Sequence, residues 1–175
     1  GLGAMGSATS YHLAQTGAKV LGLEQFNLLH DQGSSHGDTR LIRRAYFEDS
    51  AYIPLLNRSY QLWKDLEIKS GVKCLEECGL LIFGDPNKSL IYQGVIQASK
   101  KYDIAVEEMT AARANEKWGH LYRAREDHSA VFEPEAGFVY VEPSLKAMQT
   151  LAREYGADLR DRKVVTGIDV GDDRA

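Results

Sequence analysis

The sequence predicts an α/β protein, α+β overall, in which a nucleotide-binding domain of the βαβ type is interrupted by a second domain. Three observations predict it. Gly1-Leu2-Gly3-Ala4-Met5-Gly6 reads G-x-G-x-x-G, and a helical stretch, Gly17, an apolar strand and the acidic Glu24 follow it in that order. The middle of the chain then changes to helices and short strands, before a helix and a strand return at its end. The composition is globular: 175 residues, 43 % hydrophobic and 26 % charged, enough to bury one core or parts of two.

The same figures exclude several function classes. A net charge of −4 gives no reason to expect nucleic acid or an anionic membrane as partner. No apolar run approaches transmembrane length and no signal-peptide pattern is present. Cys74 and Cys78 are spaced C-x3-C without a second pair, which argues for reduced thiols rather than zinc. The histidines are too scattered to suggest any metal site. The chain opens directly on its glycine motif and stops just after a strand-like run, so it reads as a fragment truncated at both ends.

Taken in order, each element has a local reason. In the glycine motif the first glycine permits a tight turn, the second lets backbone approach a pyrophosphate, and the third lets a helix pack closely. A helix is expected from about Gly6 to Thr16, with Ala8, Tyr11, Leu13 and Ala14 inward and Gly17 as its C-cap. Lys19 to Leu23 reads as a buried strand. Glu24 at its end is placed to accept from ribose hydroxyls, which favours NAD or FAD over NADP. Further on, Tyr52, Leu55, Leu56, Ser59, Leu62, Trp63 and Leu66 recur at helical spacing up to Gly71. Gly79 to Gly84 reads as a buried strand, and Asn87 as the cap of a helix carrying Leu90, Ile91, Val95 and Ile96. Val106 lies in a short strand, and Thr110 caps a brief helix ending near Trp118. Val131-Phe132 and Phe138 to Val141 read as a hairpin joined through Glu133-Pro134-Glu135-Ala136-Gly137. A helix from Pro143 presents Leu145, Met148, Leu151, Ala152 and Tyr155 on one face until Gly156. Lys163 to Val170 is the final strand.

The stretch that carries chemistry is Gly33 to Tyr46, G-S-S-H-G-D-T-R-L-I-R-R-A-Y. His36, Arg40 and Arg43 are spaced so that a helical turn would bring them to one side. Arginine offers a planar fork of donors suited to carboxylate or phosphate. A solvated basic face is the alternative, but the position of the stretch, directly after a dinucleotide signature, favours a ligand-facing segment.

Gly1 to Gly6, Leu23-Glu24-Gln25-Phe26, the run G-S-S-H-G-D-T-R-L-I-R-R-A-Y-F-E-D, G-L-L-I-F-G and F-E-P-E-A-G together resemble the monomeric sarcosine oxidase family of flavoenzymes. The likeness covers essentially the whole chain. It implies a Rossmann-like FAD domain wrapped discontinuously around a sheet-containing substrate domain. Residues 1–46 would be the first part of the FAD domain, 47–143 a substrate-domain segment with interdomain helices, and 144–175 a second, incomplete part of the FAD domain. Gly1, Gly3 and Gly6 would line the pyrophosphate and Glu24 the adenosine ribose, with Met5 and Gln25 also among the cofactor-binding residues. Ser34, Ser35, Thr39 and Leu41 would hold the flavin half, and Val165 would meet the adenine. Arg40 would stand against the flavin ring with His36 beside it, and Arg43 would bind the substrate carboxylate. Many bacterial members have two histidines where this chain has Ser35-His36; Ser34-Ser35-His36 with L-E-Q-F looks more like the peroxisomal branch.

The resemblance further implies oxidation of an N-alkyl or cyclic amino acid such as sarcosine or pipecolate. Molecular oxygen would be the electron acceptor and hydrogen peroxide a product. The expected protein is a monomer, intracellular, in the peroxisome if eukaryotic and the cytoplasm if bacterial. In the family a cysteine that attaches the FAD and a lysine that activates oxygen both come from the C-terminal half, so Cys74 and Cys78 have no such role. Another FAD-dependent amino-acid oxidase or dehydrogenase of the same fold, and a non-catalytic FAD-binding module, remain as alternatives.

Overall fold

The computed structural model describes residues 1–169, which pack as two units. Unit one gathers Gly1–Thr39, Leu66–Cys74 and the chain from Tyr140 onward; unit two comprises Arg40–Asp65 and Leu75–Val139. In chain order the elements are α1 (Ala4–Gln15), β1 (Leu21–Leu23), β2 (Thr39–Ile42), α2 (Ile53–Ser70), β3 (Leu75–Glu76), β4 (Leu80–Gly84), α3 (Leu90–Tyr102), β5 (Glu107–Thr110), α4 (Ala111–Trp118), β6 (Ser129–Glu133), β7 (Gly137–Tyr140), α5 (Val141–Glu154) and β8 (Asp158–Arg160).

Unit one is built on a parallel pair. β1 and β8 run in register, Leu21 opposite Asp158, Gly22 opposite Leu159 and Leu23 opposite Arg160. Parallel strands need a long crossover, and the chain between them supplies it. α1 turns Ser7, Ser10, Tyr11 and Ala14 inward at helical spacing, against the buried face of α5 formed by Leu145, Met148, Leu151 and Ala152. Both helices end at a glycine in the left-handed region, Gly17 at φ +83° and Gly156 at φ +93°. That conformation frees a glycine of the Cβ clash other residues meet there. Leu13 and Tyr155, expected inward, are 48 % and 42 % exposed, although the Tyr155 ring still lies 6.2 Å from that of Tyr11.

Unit two holds two antiparallel sheets. β5 and β4 flank β6, with Val131 opposite Ile82 and Glu108. α3 covers this sheet, and Ala45, Tyr92, Val95 and Val131 form the core between them. β7 belongs to the other sheet, ordered β2-β7-β3, where Leu75 faces Val139. Ile42, Tyr60 and Leu75 are buried together there, with Trp63 packed against them as a core aromatic.

Several expected elements are corrected by this packing. β6 and β7 do not form a hairpin with one another; a three-residue link, 134–136, passes the chain from one sheet to the next. At that link Gly79 N–H donates to the Ala136 carbonyl at 2.8 Å, so the turn is bonded to the residue that leads into β4. α2 buries Ile53, Tyr60 and Leu66, leaving Tyr52 and Leu55 more than half exposed: the buried stripe is offset from the one the spacing suggested. β4 is half-buried rather than buried until Gly84. Ser89, not Asn87, caps α3, its Oγ accepting from the Tyr92 N–H at 3.2 Å. Asn87 instead lies in the preceding turn, its own N–H given to Asp85 Oδ1 at 2.9 Å. Leu90 and Ile91 consequently face outward. Thr110 does cap α4, accepting from the Arg113 N–H at 3.3 Å. The expected final strand is absent over residues 163–169: β1 already pairs with Asp158–Arg160, and a strand without a neighbour has no ladder to join. Val170 lies outside the described residues. No helix among the described residues is long and apolar enough to cross a membrane.

Candidate functional site

In unit one the glycine motif, the end of β1 and the loop at residues 32–35 converge on one cleft of about 360 Å³. Gly1, Gly3, Met5, Gly6, Glu24, Gln25, Ser34 and Ser35 all line it, joined by Phe26, His30 and Gln32. The local geometry explains why glycines stand there. A Cβ on Gly6 would lie 1.8 Å from the Gly1 carbonyl oxygen, so nothing larger fits the turn. A Cβ on Gly3 would reach within 3.2 Å of Ser35 Oγ, narrowing the cleft on its open side. Gly3 is also the N-cap of α1 and offers no capping side chain, and no acidic residue occupies the first helical turn. Ser35 Oγ accepts from the Ala4 N–H at 3.0 Å, which ties the serine loop to the helix start. A helix N-terminus with glycines at its approach favours an anion through its aligned N–H dipoles. The residues present therefore fit the pyrophosphate of a dinucleotide.

Glu24 is 4 % exposed at the floor of this cleft. Its Oε2 accepts from the Leu2 N–H at 2.8 Å and its Oε1 from the Phe26 N–H at 3.1 Å, with His30 Nε2 at 3.3 Å from Oε1. Burial pushes its pKa up, but the two N–H groups and His30 outweigh burial and hold the carboxyl below the ordinary glutamate range. A carboxylate has about four lone-pair sites, so capacity remains for a ribose hydroxyl. His30 had no motif to mark it in the sequence. Its place beside Glu24 comes from the turn after β1.

His36 lines a second cleft of unit one, about 900 Å³, with Ser35, Asp38, Lys69, Tyr140 and Lys146 among its walls. Thr39 opens β2 and is exposed; Val165 is 53 % exposed and is not among the residues lining the glycine cleft. Arg40, Leu41 and Arg43 belong to unit two.

The helical turn expected over His36, Arg40 and Arg43 does not form. Residues 33–38 run as bends with Gly37 at φ +87°, and Thr39–Ile42 is a strand. Glycine and serine hold a helix poorly, and strand pairing claims Leu41-Ile42 instead. Arg40 and Leu41 thus sit on opposite faces of β2, both exposed.

Arg43 has the most distinctive surroundings. Its Nη2 lies 2.9 and 3.0 Å from the two carboxylate oxygens of Glu48, and its guanidinium stands 4.7 Å from the ring centres of both Tyr46 and Phe47. Its Nε, like that of Arg44, is buried and has no hydrogen-bond partner among the described residues. Arg44 points elsewhere: it covers the Tyr60 ring at 4.3 Å and meets Glu135 at 3.2 Å. Beneath both lies Glu133, 1 % exposed, whose carboxylate accepts from the Arg44 N–H at 2.6 Å and the Ala45 N–H at 3.3 Å. Burial raises its pKa; those N–H groups and the two guanidinium charges oppose the rise without cancelling it. The F-E-P-E-A-G run drew attention to Glu133 only as a turn residue, and its partners lie 88 and 89 positions away. Cys74 is fully buried and its thiol pKa is pushed up by burial, while Cys78 is exposed; both are free. No group of three or more His, Cys, Asp or Glu suited to a metal occurs among the described residues.

Comparison with known proteins bears on this arrangement. The profile of the DAO family, described as FAD dependent oxidoreductase, matches residues 1–175. A monomeric sarcosine oxidase from Bacillus sp. (strain B-0618) is 35 % identical over 173 residues, which is 99 % of this chain and 44 % of that protein. A monomeric sarcosine oxidase from Streptomyces avermitilis is 39 % identical over 95 % of this chain and 43 % of its own length. An N-methyl-L-tryptophan oxidase from Yersinia pestis is 34 % identical over 97 % of this chain and 45 % of its length. Among solved structures, NikD, an unusual amino acid oxidase essential for nikkomycin biosynthesis, aligns at a TM-score of 0.81 with 28 % identity, covering 93 % of this chain and 41 % of that one. The L-proline dehydrogenase of P. horikoshii shares the fold at a TM-score of 0.80 and 23 % identity, covering 98 % of this chain and 45 % of that one. The chain spans a little under half the length of the curated relatives it matches.

Proposed function

The chain belongs to the FAD-dependent oxidoreductase family, and from that premise we propose that it is part of a flavin oxidase acting on N-alkyl or cyclic amino acids of the sarcosine and pipecolate kind. The observation that carries the substrate class is Arg43: a guanidinium that already holds a carboxylate, between two aromatic rings, with a buried donor to spare. A substrate carboxylate would take the place of Glu48 there. The support from sequence is identity of 34–39 % to oxidases of sarcosine and N-methyl-L-tryptophan.

Bound FAD would accept hydride from the carbon beside the substrate nitrogen and return the electrons to oxygen as hydrogen peroxide. The protein's own residues have simpler tasks. Gly1, Gly3 and Gly6 would receive the pyrophosphate, Glu24 the adenosine ribose, and Ser34, Ser35, Thr39 and Leu41 the flavin half, with Met5 and Gln25 lining the same cleft. Val165 is proposed for the adenine contact through its backbone, a role that rests on the sequence likeness alone. Arg40, with His36 beside it, would place positive charge near the ring and favour the electron-rich state. Arg43 would fix the substrate by its carboxylate, so that the reacting carbon is held in position. Covalent attachment of the flavin, through a cysteine that is neither Cys74 nor Cys78, is part of the proposal, as are a monomeric state and the division into nucleotide and substrate domains. The peroxisomal leaning of Ser34-Ser35-His36 is supported by motif likeness only, whereas the relatives above are bacterial.

The test is anaerobic addition of sarcosine or pipecolate to the full-length protein. Loss of the visible flavin band, followed by its return with peroxide on admitting oxygen, is the expected result. Bleaching without peroxide would make the protein a dehydrogenase, and no bleaching with any small secondary amine would make it a binding module.

A further inference from the structure

We propose that Gln149 is a positioning residue for the cofactor: from α5 it locks the Leu2–Gly3 peptide so that the Gly3 N–H faces the pyrophosphate. The inference rests on FAD occupying the glycine cleft, and it adds to that cleft a residue 147 positions along the chain.

The Leu2 carbonyl accepts two hydrogen bonds, from Gln149 Nε2 at 3.1 Å and from Ser7 Oγ at 2.8 Å. Gln149 Nε2 also donates to Ser7 Oγ at 3.0 Å, closing a ring of three polar groups. All of it is interior: Gln149 is 4 % exposed, Ser7 0 % and Leu2 4 %. The Leu2 N–H, on the other side of the same residue, is held by Glu24 Oε2 at 2.8 Å. Leu2 is thereby fixed at both of its peptide groups.

A trans peptide is planar, so its carbonyl oxygen and the following N–H point in opposite directions. With the Leu2 oxygen drawn inward by donors from α1 and α5, the Gly3 N–H must turn the opposite way, out of that buried network. That N–H can serve an anion only if its direction is set beforehand, since ordering it on binding would cost affinity. An apolar residue at position 149 would suit the face that α5 otherwise presents, namely Leu145, Met148, Leu151 and Ala152. It would leave the buried Leu2 carbonyl with one donor and free the peptide to rotate. A buried amide is tolerated only where its bonds are made, and here they are made to the phosphate turn.

The experiment uses the full-length protein prepared flavin-free under riboflavin limitation. FAD is titrated in and followed by quenching of flavin fluorescence, and thermal unfolding of the flavin-free protein is recorded alongside. Gln149→Met keeps side-chain length and helix propensity while removing both donors. The Kd for FAD is expected to rise about 5- to 30-fold, the size of one lost hydrogen bond with a buried carbonyl left short of a donor. Gln149→Glu, which sets a carboxylate against that carbonyl, should raise the Kd further, and Ser7→Ala should show a smaller rise. A Kd unchanged within roughly twofold in Gln149→Met, with only the flavin-free Tm lowered, overturns the positioning role. If Gln149→Met cannot be recovered folded, Ser7→Ala decides by the same criterion. Gly3→Val separates this from the underlying reading. Normal FAD binding by Gly3→Val would mean the cleft is not the FAD site. Loss of FAD in Gly3→Val with full binding in Gln149→Met would sink only the role given to Gln149.

Discussion

At the scale of single residues, the neighbouring arginines divide their work. Arg43 holds a carboxylate beside aromatic rings, whereas Arg44 packs on Tyr60 and pairs with Glu135. Arg43→Ala in the full-length protein should lower kcat/KM for N-methyl amino acids about 30- to 1000-fold, corresponding to roughly 2–4 kcal/mol for a charge-assisted contact in a partly desolvated site. Arg43→Lys should restore only part, because an ammonium lacks the planar fork. The flavin spectrum should be unchanged in both. Arg44→Ala is not a silent control: it uncovers Tyr60, which is 1 % exposed, and should lower Tm while leaving kcat/KM per folded molecule close to the wild-type value. Equal losses of kcat/KM in the two alanine variants would remove the carboxylate role from Arg43.

At the scale of elements, caps and buried carboxylates decide where segments begin and what they hold. Ser89→Ala should destabilise the protein by about 1 kcal/mol in urea unfolding, because α3 loses its N-cap. Asn87→Ala, two residues earlier and outside the helix, should cost less; the reverse order would show that the cap has been misplaced. Glu133 acts across elements, fastening the end of β6 to the segment after β2 through the N–H groups of Arg44 and Ala45. Glu133→Ala strands both buried donors and should cost roughly 3 kcal/mol, with Glu133→Gln, which keeps one acceptor, recovering part. If alanine and glutamine prove equal in unfolding free energy, the carboxylate is not the fastening.

At the scale of the whole molecule, the two buried glutamates give opposite pH signatures. Glu24 has a lowered folded pKa, so its contribution to stability is complete above the ordinary glutamate range and is lost as pH falls through the folded value. Glu133 has a raised one, so its contribution is greatest in acid and declines as pH rises toward the folded value. The Tm difference between flavin-free wild type and Glu24→Gln should therefore be full at neutral pH and close as the solution is acidified. A gap that stays constant into acid would show that the charge of Glu24 is not what ties Leu2 and Phe26 to the end of β1.

The sequence by itself determined the glycine turn, the stop of α1 at Gly17, the acidic end of β1, the Thr110 cap and the buried face of α5. Each follows from short-range rules: a left-handed φ that suits glycine, a hydroxyl three residues from an open N–H, an apolar repeat near 3.6. Tertiary structure alone decided the rest. Phe138–Tyr140 alternates like the second strand of a hairpin, yet β7 pairs in a different sheet from β6. The spacing of His36, Arg40 and Arg43 suited a helix, yet Gly37 and the pairing of β2 made a strand. Glu133 looked like a turn residue and Gln149 carried no signal in the sequence, until their partners 88 to 89 and 142 to 147 positions away came into contact. Strand pairing and the satisfaction of buried polar groups are set by energies between segments distant in the chain, and no local pattern carries that information.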